Sequence, residues 1–330
     1  MNLTQRQLRM FVVTATLGNV SRASQALHLS QPALTRALQE FAAQLGFPLF
    51  QREGRGLALS REGARFLPIA QRLLRDMDHI AEDVRDESKG VRGAVTIAVG
   101  AAFGSTVLPG VLRKFSELYP LVRVRLIEDD SGPIIEHVTR GEADLGIASL
   151  VGDPAPLHCE RILRAPIGLL LNPQQFAVAP DETETALATL PLLKEASGTS
   201  TLHALWSSGS TVVSQMEPGI ELSSLPLQIA LAKVGAGVAV VSALGASNPA
   251  AACLQFILIK PMVYREIYLV HQRHTPLTPA ARVFREVFWS HLPLLRNTLE
   301  IHPAVTFFKS SESEMDRANG GSEQCDDAAQ

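Results

Sequence analysis

The chain has 330 residues, of which 46% are hydrophobic and 19% charged, and its formal net charge is −3. This length is too great for one compact core and predicts two or three domains, and the composition is that of a globular chain. Only three residues are cysteines, which excludes a disulfide scaffold and a cysteine-rich zinc module.

Neither a membrane span nor a secretory signal is visible in the sequence. The longest apolar clusters, 167–171 and 238–241, have the length of strands. The N-terminus carries polar and basic residues through Arg9 and then only a short apolar patch. We therefore expect a cytoplasmic protein without a membrane partner.

Charge is unevenly distributed along the chain. Residues 1–65 contain eight arginines and three glutamates, a net charge of +5, so the remainder carries about −8. A basic N-terminal segment on an acidic body is typical of a DNA-reading module fused to another domain.

The basic segment begins with two predicted helices. Thr4 and Gln7 form a capping-box pattern, apolar residues follow at helical spacing, and Gly18 ends the first helix. Ser21 is the predicted cap of a second short helix over 22–28.

A third helix and a hairpin follow. Ser30 is placed to cap a helix that starts with Gln31-Pro32 and ends at Gly46. Two apolar stretches, 47–50 and 57–59, then flank a basic, glycine-containing tip, which predicts a β-hairpin. Together these elements predict a winged helix-turn-helix over residues 1–59.

A long linker helix is predicted from Ser60 to about residue 87. Its apolar residues alternate in spacing between four and three, which is typical of a heptad seam. These predicted dimerisation residues are Phe66, Ala70, Leu73, Met77, Ile80 and Val84. The alternative is one amphipathic helix lying on its own domain, but the regular alternation favours a partner helix.

Beyond a hinge at 89–94, strand-like and helical patterns alternate, which predicts an α/β body with largely parallel sheets in two lobes. Strands are predicted at 95–99, 122–127, 144–148, 161–171, 212–213, 238–241, 256–259 and 267–270, and helices at 106–118, 134–140, 225–233 and 279–291. The domains are then 1–59, 60–88, 89–94 and 95–300, the last with lobe I at about 95–161 and 267–300 and lobe II at about 162–266. Residues 301–330 are predicted to be a disordered tail, because serine, acidic residues, glycine and glutamine dominate there.

The segment 20–36, VSRASQALHLSQPALTR, followed by LGFPLF at 45–50 and LSREG at 59–63, closely resembles the DNA-binding signature of LysR-type transcriptional regulators. The motif is long and specific, and the resemblance extends to about residue 295. It implies an N-terminal α-helical winged helix-turn-helix with a long coiled-coil linker helix. It also implies a C-terminal α/β, two-lobed effector domain like periplasmic binding proteins. By resemblance, homodimers assemble into homotetramers that contact adjacent sites on double-stranded DNA and bend it.

In a helix-turn-helix the first turns of the third helix enter the major groove. Glutamine can pair with adenine, arginine with guanine, and the threonine methyl can meet thymine. Hydroxyls and arginines near helix starts suit phosphates, and arginines at a wing tip suit the minor groove. The predicted DNA-binding residues are Ser21, Arg22, Ser30, Gln31, Pro32, Thr35, Arg36, Gln39, Arg52 and Arg55. The alternatives are that each arginine is a solvated surface charge and that Ser30 is only a helix cap.

Three stretches of the body carry small residues after strands or before helices, at 100–106, at Ser149 and at 197–201. By similarity to the family they line an effector pocket between the lobes, and small hydroxyl residues with free amides suit a carboxylate. The predicted effector residues are Ala101, Ala102, Phe103, Gly104, Ser105, Ser149, Gly198, Thr199 and Ser200. Several relatives have threonine or serine where Ala101 and Ala102 stand, which leaves room, with Phe103, for an organic acid or an aromatic ligand. Ordinary turn and cap chemistry is the alternative for each residue.

Other motifs give weaker signals. His271 and His274 lie three apart without a third ligand nearby in sequence, so a surface loop is favoured over a metal site. A redox pair of Cys159 and Cys253 is disfavoured, because neither has a thiolate-stabilising neighbour in sequence. No nucleophile elbow, phosphate-binding loop or zinc-protease helix is present, so we expect no enzyme and no cofactor.

The sequence therefore predicts a DNA-binding regulator that responds to a small effector and contacts RNA polymerase if it activates transcription. The alternative is a ligand-independent repressor or architectural protein. A solute-binding protein without a DNA role is contradicted by the basic segment.

Overall fold

The computed structural model describes residues 3–53, 56–83, 91–150, 154–195, 200–207, 219–296 and 300–309. The chain divides into two compact units, Met1–Gly93 with Arg140–Glu142, and Ala94–Thr139 with Ala143–Gln330. We call residues 3–83 the head, and 94–139 with 143–309 the body. In the part of the chain that is described, no helix is both long enough and apolar enough to cross a membrane.

The first three helices of the head are α1 (Gln5–Leu17), α2 (Val20–Ala26) and α3 (Gln31–Leu45). The capping box at the start of α1 is confirmed, and Gly18 ends the helix at φ +58°, in the left-handed region that glycine enters without steric cost. Ser30 caps α3 as predicted, because its hydroxyl accepts a hydrogen bond from the Ala33 amide.

The predicted start of the second helix is wrong. Asn19, not Ser21, is the N-cap of α2, and its side-chain oxygen accepts a hydrogen bond from the Arg22 amide. The helix therefore begins at Val20, two residues earlier than predicted. Asparagine ranks at least as high as serine at this position, so the sequence offered two caps and the earlier one is used.

The wing is an antiparallel pair, β1 (Phe50–Glu53) and β2 (Gly56–Leu59), in which Phe50 lies opposite Leu59. The linker helix α4 (Arg61–Asp83) follows directly. Its first turn packs closely on the segment before the wing: a Cβ added at Gly63 would lie 2.0 Å from the Leu49 carbonyl oxygen. Only glycine fits there without moving the backbone.

Part of the predicted dimer seam belongs instead to the core of the head. The Phe66 ring packs against the rings of Phe11, Phe41 and Phe47, at centroid distances of 5.5, 6.1 and 5.8 Å. Ala70 is fully buried by its own chain. Phe66 and Ala70 are thus corrected from seam to core residues, because α4 lies along α1 and covers its apolar face.

The rest of the predicted seam is described only in part. Leu73 and Met77 are half-buried and pack at the edge of the same core. For Ile80 the structure describes the backbone but not the side chain, and Val84 lies outside the described residues. Ile69 is a large apolar residue of α4 whose side chain is exposed, with a relative exposure of 46%.

The described residues of the body form ten strands. They are β3 (Gly93–Val99), β4 (Val122–Glu128), β5 (Leu145–Ala148), β6 (Leu157–Leu171), β7 (Leu192–Glu195), β8 (Ile220–Leu222), β9 (Val238–Ser242), β10 (Gln255–Leu258), β11 (Tyr264–Gln272) and β12 (Thr306–Phe307). Their order is β4-β3-β5-β11-β6-β9-β7-β8, and β10 and β12 also pair with β6. The predicted strand at 212–213 lies outside the described residues.

Helices pack on this sheet system. They are α5 (Ala101–Thr106), α6 (Leu108–Leu118), α7 (Ser131–Thr139), α8 (Thr183–Thr189), α9 (Ser200–Ser207), α10 (Leu225–Lys233), α11 (Ala243–Ala246) and α12 (Pro279–Arg296). The first sheet, formed by β4, β3, β5, β11 and the first part of β6, is covered on one face by α7, around Ile134 and Val138. A second cluster of buried aliphatic residues fills the other lobe, around Ile167 and Val240.

The sheets are mixed, not largely parallel as predicted. β3 runs parallel to β5, and β7 runs parallel to β8 and β9. In contrast, β6 is antiparallel to β9, β10, β11 and β12. The reason is that β6 runs through both lobes and β11 returns antiparallel to its first part, a long-range arrangement that the alternation of helices and strands does not reveal.

Two strands carry the chain between the lobes. β6 pairs with β11 from Leu157 to Pro166 and with β9 from Ile167 onward. The change of partner falls a few residues later than the predicted lobe boundary at 161/162. The chain returns through β11, which pairs with β6 from Tyr264 onward.

The predicted disordered tail starts too early. Thr306 and Phe307 form β12, which pairs with Arg164 and Leu163 of β6, and Val305 is buried. The Arg161 guanidinium lies 3.9 Å from the Phe308 ring centroid. Valine and two phenylalanines at 305–308 give this segment enough apolar surface to pack. Residues 310–330 lie outside the described residues.

Candidate nucleic-acid interface and effector cavities

One face of α3 is polar and open to solvent. Gln31, Thr35 and Gln39 follow at spacings of four and are exposed, whereas Leu34 and Leu38 in the adjacent stripe of the helix are buried in the head core. Residues four apart lie on the same side of a helix. The amphipathic pattern therefore fixes which side chains α3 presents outward.

A groove of about 880 Å³ runs along this face of α3. It lies between α3, the start of α2 and the wing, and the Ser21 hydroxyl donates to Oε1 of Gln31 across it at 3.1 Å. Its lining residues are Gly18, Asn19, Val20, Ser21, Gln31, Thr35, Leu38, Gln39, Ala42, Pro48, Leu49, Phe50 and Leu57. The structure thus brings four of the predicted DNA-binding residues together: Ser21, Gln31, Thr35 and Gln39.

The other predicted residues of α2 and α3 are exposed but stand outside the groove. Arg22, Ser30 and Pro32 lie beside it on the surface of the head. The Arg36 guanidinium forms an ion pair with Glu40, with 3.0 Å between Nε and Oε1, and both side chains are more than half exposed. Such an exposed pair contributes little to stability, so Arg36 can exchange Glu40 for another anion at small cost.

The last two predicted DNA-binding residues are the wing arginines. Arg52 lies in β1, but its side chain is not among those described, and Arg55 lies outside the described residues. Sequence reasoning missed Asn19, Phe50 and Leu57 as groove residues. Of these, the sequence carried a signal for Asn19, because an asparagine right after Gly18 can start a helix, although Ser21 is an equally good cap.

In the body, two cavities flank one arginine. One of about 30 Å³ and one of about 150 Å³ both touch Arg265 on β11. Both lie where strand ends and helix starts converge, the usual place for ligands in α/β folds. The smaller is lined by Gly100, Ala101, Ala102, Asp129, Asp130, Ser223, Leu225, Val241, Ser242, Gly245 and Arg265, and the larger by Ser149, Leu150, His203, Ala204, Tyr264, Arg265, Glu266 and Tyr268.

Arg265 is held in place by a chain of hydrogen bonds. Its Nε donates to the Ser149 hydroxyl at 3.0 Å, and the Ser149 amide donates to the Ser131 hydroxyl at 3.1 Å. Ser149 follows β5 and Ser131 begins α7, so two neighbouring elements fix the guanidinium. An arginine positioned in this way presents several donors to a carboxylate.

The predicted effector residues divide into two groups. Ala101, Ala102 and Ser149 line the cavities. Phe103 does not, because it is 1% exposed and its ring stacks on Phe288 of α12, so it is a core residue. The Phe103 ring therefore has no exposed face on which an aromatic ligand could stack.

Gly104 and Ser105 also fall outside the cavities. A Cβ on Gly104 would face the Val99 side chain of β3 rather than open space. Ser105 is exposed, and its hydroxyl donates to the Ala101 carbonyl at 2.7 Å and accepts from Asn248 Nδ2 at 3.0 Å. Both corrections have one cause: the chain turns into α5 at Ala101, and the helix carries these residues away from the cleft.

Three further predicted residues remain undescribed. Gly198 and Thr199 lie outside the described residues, and Ser200 begins α9 without a described side chain. The neighbouring His203 of α9, which the sequence did not single out, lines the larger cavity.

Acidic groups stand beside Arg265 in both cavities. Asp129 and Asp130 line the smaller one, and Asp129 Oδ2 lies 3.4 Å from His137 Nε2. In the larger one, Glu266 pairs with Arg161 at 3.1 Å and accepts a hydrogen bond from the Tyr268 hydroxyl.

This environment keeps the Tyr268 phenol protonated. Burial and the hydrogen bond to the Glu266 carboxylate raise the pKa of Tyr268 far above its usual range. At neutral pH it therefore acts in the cavity as a hydrogen-bonding hydroxyl, not as an anion.

A group of potential metal ligands lies elsewhere in the body. One ligand atom each of His158, Glu160 and His271 lie within 4.8 Å of one another. His271 has no ligand nearby in sequence other than His274, but β6 brings His158 and Glu160 beside it. His274 is exposed and is not part of this group.

Comparisons with known proteins agree with this architecture. The model of the bacterial regulatory helix-turn-helix protein family, lysR type, matches residues 5–64, and the model of the LysR substrate binding domain matches residues 88–293. The chain belongs to the LysR family. The second match covers the body and so defines it as the family's substrate-binding, or effector, domain.

LysR-family relatives match over most of the chain. An uncharacterized HTH-type transcriptional regulator of Escherichia coli strain K12, YbhD, is 25% identical over 299 residues, which cover 84% of this chain and 88% of that protein. A full-length OxyR variant from Pseudomonas aeruginosa has a TM-score of 0.63 at 19% identity, covering 89% of this chain and 96% of that one. Full-length CbnR in complex with its target DNA has a TM-score of 0.61 at 22% identity, covering 86% and 98%. These two structures share the fold, and the chain is accordingly a LysR-family DNA-binding transcriptional regulator with an effector-binding domain.

Proposed function

We propose that the polar face of α3 reads operator DNA in the major groove. The observation that carries this is the groove of about 880 Å³ in which Ser21, Gln31, Thr35 and Gln39 meet on the exposed side of α3. The CbnR structure, whose fold this chain shares, holds its target DNA, which supports the same use of the head here.

The side chains suggest how the bases are read. Gln31 and Gln39 offer the paired donor and acceptor that match adenine, and the Thr35 methyl suits a thymine methyl. Arg36 leaves Glu40 for a guanine or a phosphate. Arg22 and Ser30 are proposed to contact phosphates, which fixes the register of the head, and Arg52 and Arg55 to contact the minor groove or its backbone.

A footprint on the DNA upstream of the protein's own gene tests this proposal. We expect the wild type to protect a partly palindromic site, and Gln31→Ala with Arg36→Ala to lose about 2–6 kcal/mol of binding at two base contacts. Arg113→Ala is the matched control, because Arg113 forms a similarly exposed i,i+4 pair with Glu117 in the body. Equal affinity of the double variant and the control would refute the proposed reading face.

We further propose that the effector is a small organic acid whose carboxylate binds Arg265. The positioned guanidinium between the two cavities supports this class, and the small hydroxyls of Ser149, Ser223 and Ser242 add donors around it. Asp129 and Asp130 beside it favour acids that also carry an ammonium group. The aromatic effector considered from the sequence loses its support, because Phe103 faces the core.

A panel of small carboxylic acids, with and without amino groups, tests the effector class. Differential scanning fluorimetry of the full chain should show stabilisation by some members that Arg265→Gln abolishes and Arg282→Gln, an exposed arginine on α12, retains. Asp130→Asn should weaken only ligands with an ammonium group. A footprint that no panel member changes, with Arg265→Gln behaving as wild type, would favour the ligand-independent repressor instead.

We also propose that α4 joins two chains into a dimer, and that dimers form the tetramer that bends DNA and, in an activator, meets RNA polymerase. Ile69, exposed on the described part of α4, supports this, and Leu73 and Met77, which are half-buried at the edge of the head core, lie four and eight residues further along the same side. Ile69→Asp should shift sedimentation towards monomer, whereas Ala64→Asp, at an exposed site five residues earlier, should not. The protein would act in the cytoplasm, where its DNA lies.

A further inference from the structure

Three side chains with metal-binding chemistry share one face of the first sheet. His158 of β6 lies directly opposite His271 of β11 in the antiparallel pair, and Glu160 is two residues further along β6. Directly opposed residues and residues two apart point to the same side of a sheet. The two imidazole rings are accordingly 4.8 Å apart between centroids.

We propose that His158, Glu160 and His271 bind a divalent transition-metal ion, of which Zn²⁺ is the type. No part of the DNA-reading face or of the Arg265 cavities belongs to this cluster, so the inference is independent of the proposed function. Two histidines and one carboxylate, with a fourth position open to water, are a familiar zinc donor set.

The geometry needs only small adjustments to hold the ion. One ligand atom each of the three residues lie within 4.8 Å of one another, and His158 Nε2 is 3.9 Å from Glu160 Oε1. Ligand atoms of a tetrahedral zinc site are about 3.3 Å apart, given zinc–nitrogen distances of about 2.0–2.1 Å. Both histidines are half-buried, so their rings can rotate by this amount and an ion can enter from solvent.

His271 is held in the tautomer that a metal needs. Its Nδ1 lies 3.0 Å from the backbone oxygen of Gln272. A carbonyl oxygen can only accept, so Nδ1 carries the proton and Nε2 keeps its lone pair. Backbone carbonyls commonly orient metal-binding histidines in this way.

Glu160 is fixed and partly neutralised by Arg285. The carboxylate is 2% exposed and accepts from Arg285 Nε and Nη2, both at 2.7 Å. Each carboxylate oxygen keeps a second lone pair, so Arg285 becomes the outer partner of a metal-binding carboxylate. Because Arg285 offsets the negative charge, affinity must come from the two imidazoles.

This charge balance selects among metals. Mg²⁺ and Ca²⁺ prefer several oxygen ligands and would gain little from two imidazoles and one neutralised carboxylate. Zn²⁺, Co²⁺, Ni²⁺ and Cu²⁺ accept imidazole readily. The bound ion would connect β6 to β11, the two strands that run between the lobes.

Titration of the full-length, chelator-treated and tag-free protein tests the proposal, with Zn²⁺ followed by calorimetry and Co²⁺ by its visible absorption. We expect one ion per chain and no response to Mg²⁺. His158→Gln and His271→Gln should each lower the affinity for Zn²⁺ by at least about a hundredfold, because losing even a residue that only orients a metal ligand lowers affinity by up to about a hundredfold. The matched control is His274→Gln, which removes an exposed histidine three residues from His271.

Zn²⁺ should also raise the melting temperature of the wild type and of His274→Gln, but not that of the two cluster variants. Metal-free melting curves of all four proteins check that the substitutions leave the fold intact. No stoichiometric binding by the wild type would overturn the proposal. Retention of full affinity in either cluster variant would also overturn it.

Discussion

Phe66→Ala should destabilise the head by about 3 kcal/mol and leave the body unchanged. The Phe66 ring contacts the rings of Phe11, Phe41 and Phe47 within 5.5–6.1 Å. Removing a core phenylalanine costs about 3–5 kcal/mol, and the lower end applies because Phe66 is only half-buried. For a unit of this size the loss lowers the melting temperature of the head by about 15 °C.

The two units can be followed separately in the full chain. Both tryptophans, Trp206 and Trp289, are in the body, so fluorescence reports the body while the helical circular dichroism signal also reports the head. We expect an early, head-only transition in Phe66→Ala that does not depend on protein concentration. Arg65→Ala, which shortens an exposed side chain next to Phe66 on the same helix, is the control. A head midpoint that falls on dilution, together with a weakened dimer, would instead place Phe66 in the seam and refute its assignment to the core.

Three smaller perturbations address the cap, the sheet and the C-terminal segment. Asn19→Ala removes the hydrogen bond to the Arg22 amide at the start of α2, which should lower the free energy of unfolding of the head by about 1 kcal/mol. Urea unfolding measures this loss, and an unchanged midpoint would contradict the cap assignment. Gly146→Ala places a Cβ within 2.8–3.0 Å of three aliphatic side chains and should cost about 1–3 kcal/mol in the body, read from the fluorescence transition; a neutral effect would mean that α7 can move away. Burial lowers the pKa of His302, whose Nδ1 accepts a hydrogen bond from the Ala304 amide. The unfolded chain, in which a histidine has a pKa of about 6.5, therefore binds a proton more readily than the folded chain, and the free energy of unfolding decreases as the pH falls. His302→Asn keeps an acceptor without that titration and should flatten the decline between pH 7 and 5, whereas an unchanged slope would remove His302 from the account.

Local signals predicted the head well because its elements are set by near neighbours in sequence. Thr4 with Gln7, Ser30, Gly18 and Gly46 start or end helices through bonds within one turn. The same local reasoning failed at α2, where two caps of equal rank stand two residues apart. Nothing local decides between Asn19 and Ser21.

The heptad pattern on α4 shows a different limit. A spacing of four and three describes any helix with one apolar stripe, whether the stripe meets another chain or its own domain. Phe66 packs against aromatic rings of α1 and α3, and close packing of α4 on α1 buries Ala70, so the first part of the stripe belongs to the core. Only the three-dimensional structure shows which residues of the stripe contact their own domain and which remain available to another chain.

The parts of the body that carry chemistry depend on pairings distant in sequence. Arg265 stands just before the predicted strand at 267–270, and its value as an anion partner appears only when β11 brings it to Ser149, 116 positions earlier. His271 looked isolated for the same reason, although His158 lies directly across from it. Both sites arise because β11 pairs with β6 from Leu157 to Pro166, so an ion held at one end of this pair and an acid bound at Arg265 would act on the same two strands. If both bind, the calorimetric affinity of Zn²⁺ should differ with and without the acid, and by reciprocity the affinity of the acid should change by the same factor.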